Sequence, residues 1–449
     1  MSITSNQPNS QDAKRTRRRG CLIVLAVFAA LFGAYLWMFF SDVGPRDDSD
    51  LRLPPPPVIP NEQNMAYWWG EALIDLEYSL FDEIGMRDWL GDPGFEPAKL
   101  EERRELLDTF VSTNRDRFEA IDRAAECTEI VQSRDFAQWS SVYSIEELVT
   151  AGAHHSLLRD DRDRAVDLLL KSRYLVQTRG ASTGGFSTSP AIARAWVHLI
   201  RTERSPSTLR VWLSRFDDPI IGDDWPTEWA RHQYALLSEF LNDPDSVKRV
   251  LQKMGQHLSK RGLSYRWLYR PKRTRARAAD KFRECIERAR RGEQFAPPVP
   301  PEGWERVRRI LGGNFAGEEL LDQMFQGNEY WESQACAVIA TDRMLRTAIA
   351  IRVRKLETGS YPKSLIALVP DLLPKLPRDP EDPNGGALRW DPDRGVLWTL
   401  GPDRMDQGGR VPGARRRGSL FSSNRRGNNP IFFEPVHHPQ RKDRALLLR

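Results

Sequence analysis

Ser182 is the first residue of this sequence whose surroundings suggest covalent chemistry. Gly180 and Gly184 flank it in the G-x-S-x-G spacing of a nucleophile elbow, where glycines allow a strained turn between a strand and a helix. The preceding segment, LLLKSRYLVQ, has helical rather than strand periodicity. We therefore interpret the pattern as an inter-helix loop, and the sequence predicts no catalytic residue.

Two other patterns have catalytic or metal-binding spacing without the local structure that such sites need. Ser360 and Lys363 are spaced as S-x-x-K, but Pro362 interrupts the helix that would direct the lysine at the serine. His154 and His155 are adjacent and point to different helix faces, so we expect one packed and one solvated histidine rather than a shared metal. We therefore expect a protein that is not an enzyme. The alternative is a hydrolase whose active site is assembled from residues far apart in the sequence.

The elements that position these residues begin with an uncharged apolar run, residues 21–40 (CLIVLAVFAALFGAYLWMFF). Twenty residues at ~1.5 Å rise each match the ~30 Å hydrocarbon layer of a bilayer. Five Lys or Arg residues precede the run and several aspartates follow it, which places the N-terminus in the cytoplasm. The sequence thus predicts a signal-anchor in the cytoplasmic membrane, with the lipid bilayer as a partner and the main domain extracytoplasmic, as in the periplasm.

Composition indicates a folded body with its positive charge at the ends. Of 449 residues, 40% are hydrophobic and 10% aromatic, too many for a disordered chain. The net charge is +5, to which residues 1–20 contribute +4 and residues 410–449 contribute +8, so the body is mildly acidic.

The cysteines form no C-x-x-C pair, so zinc ribbons and thioredoxin-type sites are excluded. Cys127, Cys285 and Cys336 could supply one disulfide or be small core residues.

The segment from Lys260 to Arg291 concentrates positive charge within the body. It holds thirteen Lys or Arg residues against three acidic ones, with Tyr265, Trp267 and Tyr269 interleaved. Such groups can bind nucleic acid, but an exported domain meets little of it, so no nucleic-acid partner is expected. We expect the segment to pack against the acidic remainder, with anionic lipid or a cell-wall polymer as the alternative.

Helical periodicity dominates between the anchor and residue 358. The apparent helices cover 98–130, 134–158, 162–178, 189–203, 206–216, 226–242, 244–258, 274–291 and 316–357. The sequence RDDRD joins the second and third in an apparent helical hairpin, in which Ala151, Ala153, Ala165 and Leu169 would allow close packing. The sequence therefore predicts a mainly α protein with a hairpin or solenoid-like domain.

A change of composition after residue 358 marks a C-terminal module, residues 359–410. ALRW and GVLWTL flank the polar turn DPDR, which predicts a β-hairpin. The predicted organisation is a basic cytoplasmic tail, a transmembrane helix, a Pro-rich stalk, a helical domain, the C-terminal module and a basic disordered tail, at residues 1–20, 21–40, 41–62, 63–358, 359–410 and 411–449.

The ending of the chain resembles the C-terminal region of the major pseudopilin of type II secretion systems. The matching residues are Gly359, Tyr361 and Pro362, then Pro377, Asp379 and Pro380, then Leu400, Gly401, Asp403, Gly408 and Gly409. It is also similar to the ending of membrane-anchored bacterial proteins of planctomycete type that have a long helical middle. Because residues 41–358 separate the module from the anchor, and no prepilin-processing site precedes residue 21, assembly into a pseudopilus is not expected.

The pseudopilin resemblance also implies a calcium ion, whereas the sequence alone indicates no cofactor. Asp403 and Asp406 are the oxygen ligands that the match suggests, although Arg404 replaces the family's glycine. An Asp/Gly turn that closes the hairpin is the alternative. For function, the sequence predicts a membrane-tethered scaffold or binding protein with protein partners in the cell envelope; a secretion-apparatus component is the alternative that the resemblance adds.

Overall fold

The computed structural model confirms a mainly helical chain with a small sheet. It describes residues 25–37, 41, 47–53, 58–73, 101–102, 104–127, 140–183, 190–216, 224–258, 269–291, 293, 302–304, 307, 309, 312–325, 328–401, 404–406, 408–409 and 444–447. The described residues belong to two compact units, interleaved along the sequence. The smaller lies within Met1–Asp50, Leu236–Lys281 and Pro298–Phe325, and the larger within Leu51–Ala235, Phe282–Pro297 and Gln326–Arg449.

The helices follow the predicted pattern closely. Helix α1 covers residues 25–37. The next six are α2 Met65–Leu73, α3 Arg104–Thr113, α4 Arg115–Glu126, α5 Ser140–Leu158, α6 Arg162–Thr183 and α7 Pro190–Thr202. Then come α8 Pro206–Ser214, α9 Trp225–Asn242, α10 Pro244–Leu258, α11 Pro271–Arg290, α12 Phe315–Phe325 and α13 Asn328–Thr358.

The predicted helical hairpin is confirmed as α5 and α6. Asp160 takes a left-handed conformation (φ 54°) between them, and the Asp161 side chain accepts a hydrogen bond from the Arg164 N–H at 3.1 Å, which caps α6. The four small or apolar residues expected to allow close packing are all fully buried: Ala151, Ala153, Ala165 and Leu169. The RDDRD sequence therefore supplies both the turn and the cap.

Two predicted helices are each divided. The predicted helix 98–130 breaks at Asn114, whose buried amide donates to the Phe110 carbonyl at 2.9 Å and so ends α3 before α4 begins. The predicted helix 316–357 is α12 and α13, with residues 326–327 outside the described part. Periodicity continues across Asn114, and hence the pattern did not reveal that break.

The larger unit holds two hydrophobic clusters. One joins α2 to α6 through side chains such as Trp69, Phe110, Ile121 and Leu148. The other joins α5 to α8 with α13 and the C-terminal module, through Trp196, Trp212, Ile349 and Leu397 among others. The buried face of α13 therefore carries the C-terminal module.

The predicted hairpin is confirmed within a three-stranded antiparallel sheet. Strand β1 (Arg389–Asp391) pairs with β2 (Val396–Thr399), which pairs on its other side with β3 (Arg444–Leu447). The basic composition around β3 gave no strand signal, and residues 411–443 lie outside the described part. Every residue of β2 is buried, as expected for a central strand.

In the smaller unit, the described cations of the basic segment are used in internal contacts. Lys281 Nζ lies 2.6 Å from Asp322, which Arg309 also contacts. Arg277 pairs with Glu318 at 3.7 Å, and Arg273 donates to the Gly312 carbonyl at 2.8 Å. These contacts favour packing over the binding of an external polymer.

Helix α1 is the described part of the predicted membrane anchor. Leu25, Phe28 and Trp37 are 65%, 70% and 74% exposed, and Leu31 and Phe32 also face outward. Among the helices described, none has the combination of length and apolar character that bilayer crossing requires. Residues 21–24 and 38–40 of the predicted span lie outside the described part.

Ser172 on α6 provides a stability prediction. Its side chain is fully buried and its hydroxyl has no hydrogen-bond partner among the described residues. Because burial of an unsatisfied hydroxyl costs about 1–3 kcal/mol, Ser172→Ala should raise the free energy of unfolding by about 1 kcal/mol, measured by chemical denaturation.

Ser205→Ala is the matched control. The Ser205 hydroxyl accepts from the Thr208 N–H at 3.2 Å and caps α8, so the same chemical change should lower stability by ~1 kcal/mol. Equal destabilisation in both variants would contradict the assignment of Ser172 as unsatisfied.

Candidate functional site

A polar cleft of about 440 Å³ lies among helices α3 to α6 of the larger unit. Its volume is within the range of ~300–1,000 Å³ that is usual for ligand-binding clefts. Phe118 and Leu168 form part of its apolar wall beside Gly152. A Cβ atom built on Gly152 would lie 2.5 Å from Phe118 Cε1 and 3.1 Å from Leu168 Cδ1, and a glycine is therefore required for this helix contact.

Two helices present residues to the cleft with the same spacing. Helix α4 contributes Arg115, Phe118, Glu119 and Asp122, at relative positions i, i+3, i+4 and i+7. Helix α5 repeats this spacing with Gly152, His155 and Ser156, and Arg159 follows at i+7 in the turn directly after the helix. Positions at this spacing lie on one side of a helix, so each helix turns a single continuous stripe toward the cleft.

One end of the cleft holds a histidine and an arginine on a shared carboxylate. Asp108 Oδ1 is 2.7 Å from His155 Nε2 and 3.0 Å from Arg159 Nη2. The hydrogen bond from Arg159, together with that from His155, lowers the pKa of Asp108. The carboxylate therefore fixes the imidazole and carries a negative charge at neutral pH.

The other end is an ion-pair network centred on Asp122. Arg164 donates to both oxygens of Asp122, at 3.4 and 3.1 Å, and Lys171 Nζ lies 2.9 Å from Oδ1. Burial acts to lower the pKa of Lys171, but its hydrogen bonds to Asp167 and Asp122 outweigh that effect and raise it. These charges are compensated within the protein.

Three polar side chains of the cleft have no hydrogen-bond or ion-pair partner among the described residues. The side chains of Arg115 and Glu119 are exposed and make no ion pair or hydrogen bond with any described residue. Ser156 is only 6% exposed, and its hydroxyl likewise has no bond within the described part of the chain. Because the Ser156 oxygen lies at the wall of the cleft and is not among the fully buried unsatisfied atoms of the described residues, it can bond to water or to a ligand.

Of the candidates that the sequence analysis considered, the structure brings His155 into this cleft, whereas Ser182 and His154 are not among its lining residues. Ser182 lies in the last turn of α6, a helix rather than a strand-to-helix elbow and rather than the expected loop; its side chain is outside the described part. His154 is packed, as expected for one of the pair, with Nδ1 2.8 Å from the Thr150 carbonyl oxygen. His155 is bound to Asp108 instead of being solvated. No described hydroxyl or thiol is hydrogen-bonded to His155, so the pair lacks an activated nucleophile.

The C-terminal module contains a second polar cluster, organised by one guanidinium. Arg389 donates to Asp379 at 2.7 Å, to Asp382 at 2.8 Å and to Asp406 at 3.0 Å. Asp379 is fully buried and also accepts from the Leu400 N–H at 2.8 Å. Arg389 therefore neutralises a set of carboxylates that fastens the hairpin to the preceding loop.

The residues of the pseudopilin resemblance lie together in this module. The Trp390 indole donates to the Pro362 carbonyl at 2.8 Å and packs edge-on against Tyr361. Gly359, Gly408 and Gly409 have positive φ angles. The motif thus joins the end of α13 to the hairpin.

Only one of the two suggested calcium ligands is described. Asp406 accepts from Arg389, from the Trp398 indole at 3.1 Å and from the Gly408 N–H at 2.9 Å, while Asp403 lies outside the described residues. Within the described part of the chain, no three His, Cys, Asp or Glu side chains form a metal-binding group. Calcium binding by Asp403 and Asp406 stays a prediction.

Sequence reasoning missed the cleft, although its signal was present in the chain. The i, i+3, i+4, i+7 stripe of α4 mixes charged residues with one aromatic, and such a stripe is ordinarily assigned to solvent. Comparison of the chain with protein-family models, with curated proteins and with solved structures gave no match.

Proposed function

We propose that this chain is a membrane-tethered, extracytoplasmic binding protein that takes a small polar ligand in the cleft of α3 to α6. The observation that carries this proposal is the set of groups at the cleft that have no partner among the described residues, namely the side chains of Arg115 and Glu119 and the hydroxyl of Ser156. The Ser156 hydroxyl lines the cleft, where a ligand can complete its hydrogen bonding.

The tether is supported by sequence and by exposure. Residues 21–40 are free of charge, and helix α1 within them turns large apolar side chains outward. A helix with apolar groups on all sides is stable in lipid but not in water. The basic residues before it keep the N-terminus in the cytoplasm and send the cleft to the opposite side.

Paired substitution within α1 tests the tether. Leu31→Asp combined with Phe32→Asp should move the protein from the membrane pellet to the alkali-extractable fraction, since each acidic residue at the centre of a span costs about 2.5–3.5 kcal/mol. The unmodified chain should resist extraction, and a reporter fused after Arg449 should be active only outside the cytoplasm.

Val211→Asp is the matched control, because Val211 is an apolar side chain exposed to a similar degree on α8. It should leave the membrane fraction unchanged. Full extraction of the unmodified chain, or a reporter active only in the cytosol, would overturn the tether.

The alternative of a hydrolase has weaker support. Asp108 contacts Nε2 of His155, the nitrogen that faces the nucleophile in a Ser-His-Asp triad, and no described nucleophile is bonded to the pair. A component of a secretion apparatus rests on the pseudopilin resemblance alone and stays a prediction.

A further inference from the structure

The charge balance of the cleft restricts the class of ligand. Asp108 is compensated by His155 and Arg159, and Asp122 by Arg164 and Lys171. The Asp161 carboxylate accepts the Arg164 N–H at the start of α6, where the helix dipole favours a negative charge. Besides Asp161, the remaining charges are the guanidinium of Arg115 and the carboxylate of Glu119, one of each sign on helix α4. An anion or a cation would therefore face a group of its own sign.

The partnerless groups suit a ligand that both donates and accepts. Arg115 offers only donors, Glu119 offers only acceptors, and the hydroxyl of Ser156 can do either. Arg115 and Glu119 are one turn apart on α4, a separation of ~5–6 Å between Cβ atoms. Neighbouring hydroxyl groups on one small molecule can accept from the guanidinium and donate to the carboxylate at the same time.

We propose that the cleft binds a neutral saccharide of one or two rings. This inference rests on the proposed function and gives its ligand a chemical class. Hydroxyl groups complete the bonding of Arg115, Glu119 and Ser156, and the C–H face of a sugar ring matches the apolar wall at Phe118 and Leu168. The glycine at position 152 lets Phe118 and Leu168 pack directly against helix α5, and a volume of about 440 Å³ limits the ligand to a small one.

The test uses the full-length chain in lipid nanodiscs, with binding measured by saturation-transfer NMR and calorimetry. The neutral probes are glucose, galactose, N-acetylglucosamine, maltose, lactose and diacetylchitobiose. The charged probes are inorganic phosphate and glucose 6-phosphate, and the zwitterionic probe is alanine. We expect at least one neutral sugar to bind and the charged and zwitterionic probes not to bind.

Substitutions locate the binding. Arg115→Gln and Glu119→Gln should each weaken the affinity for the bound sugar by about 10-fold, because each removes a charge-assisted hydrogen bond. Ser156→Ala should weaken it by ~5-fold without loss of folding, since it removes one oxygen. Glu126→Gln, two turns beyond Glu119 at the end of α4, and Ser172→Ala on α6 are matched changes outside the cleft and should leave the affinity unchanged.

The outcomes separate this inference from the proposed function. Binding of phosphate or alanine in place of sugars, lost in the same cleft variants, would overturn the saccharide class while a ligand-binding cleft stands. Binding by no probe, or sugar binding unaffected by all three substitutions, would overturn the cleft as a sugar site. The membrane tether is decided separately by the extraction experiment.

Discussion

Arg389→Met should lower the stability of the C-terminal module by about 3–5 kcal/mol, because it leaves buried carboxylates without their cation. Asp379 is fully buried and Asp382 nearly so, and both bond to this one guanidinium. The measurement is amide hydrogen exchange at Leu400, whose N–H donates to Asp379. Its protection should fall by two to four orders of magnitude, by the conversion of ~1.4 kcal/mol per factor of ten.

The pH dependence of this loss has a defined sign. Burial acts to raise the pKa of Asp382, but hydrogen bonds from the Asn384 N–H and from Arg389 outweigh it and lower the pKa. A carboxyl with a lowered pKa contributes stability above its unfolded value of about 3.9, and that stability is lost as the pH falls through the folded pKa. The Arg389→Met variant lacks this contribution. Its loss of stability relative to the unmodified chain should therefore be complete at pH 7 and become smaller below about pH 4.

Arg210→Met is the control for the loss of an ion pair as such. Arg210 lies 2.7 Å from Glu357, but both side chains are open to solvent, so its removal should cost at most about 1 kcal/mol. If Arg389→Met lowered stability no more than Arg210→Met, or if its loss of stability did not depend on pH, the Arg389 guanidinium would not be the group that holds the carboxylates.

Much of the helical architecture could be predicted because periodicity and local caps act within a few residues. The α5–α6 hairpin follows from RDDRD, where Asp160 takes a left-handed turn and Asp161 caps the next helix. The break at Asn114 could not be predicted, since the decisive bond is one amide to one carbonyl within an unbroken apolar pattern. Strand β3 could not be predicted from the sequence either, because it forms only by pairing with β2, which is distant in the sequence.

The cleft was beyond prediction for a different physical reason. The stripes on α4 and α5 are each recognisable from spacing, but only packing decides whether charged stripes face solvent or one another. Asp108 and His155 are 47 positions apart in sequence and 2.7 Å apart in space. The cluster at Arg389 is less hidden, because Asp379 and Asp406 are only 10 and 17 positions away and lie within the module that the pseudopilin resemblance had delimited.

Gly152→Val should destabilise the larger unit by about 2–3 kcal/mol through overpacking of the α4–α5–α6 contact. The first added carbon would already lie 2.5 Å from Phe118 Cε1 and 3.1 Å from Leu168 Cδ1. Phe118 is buried, so its ring cannot move away without displacing neighbours. Valine has a higher helix propensity than glycine, and this gain offsets part of the cost of the collision. The expected loss of stability is therefore smaller than the collision alone would cause. Thermal and chemical denaturation measure it.

Gly33→Val is the same change in helix α1, where nothing lies within 4 Å of the added carbon, and it should leave stability unchanged. A second-site change identifies the cause: Phe118→Leu shortens the side chain that valine strikes, so the double variant should recover at least 1 kcal/mol relative to Gly152→Val, a coupling typical of residues in contact. Additive losses in the double variant would mean that the helices meet elsewhere. Sugar affinity should follow stability in this series, because the wall that Phe118 and Gly152 form is both the helix contact and the apolar side of the cleft.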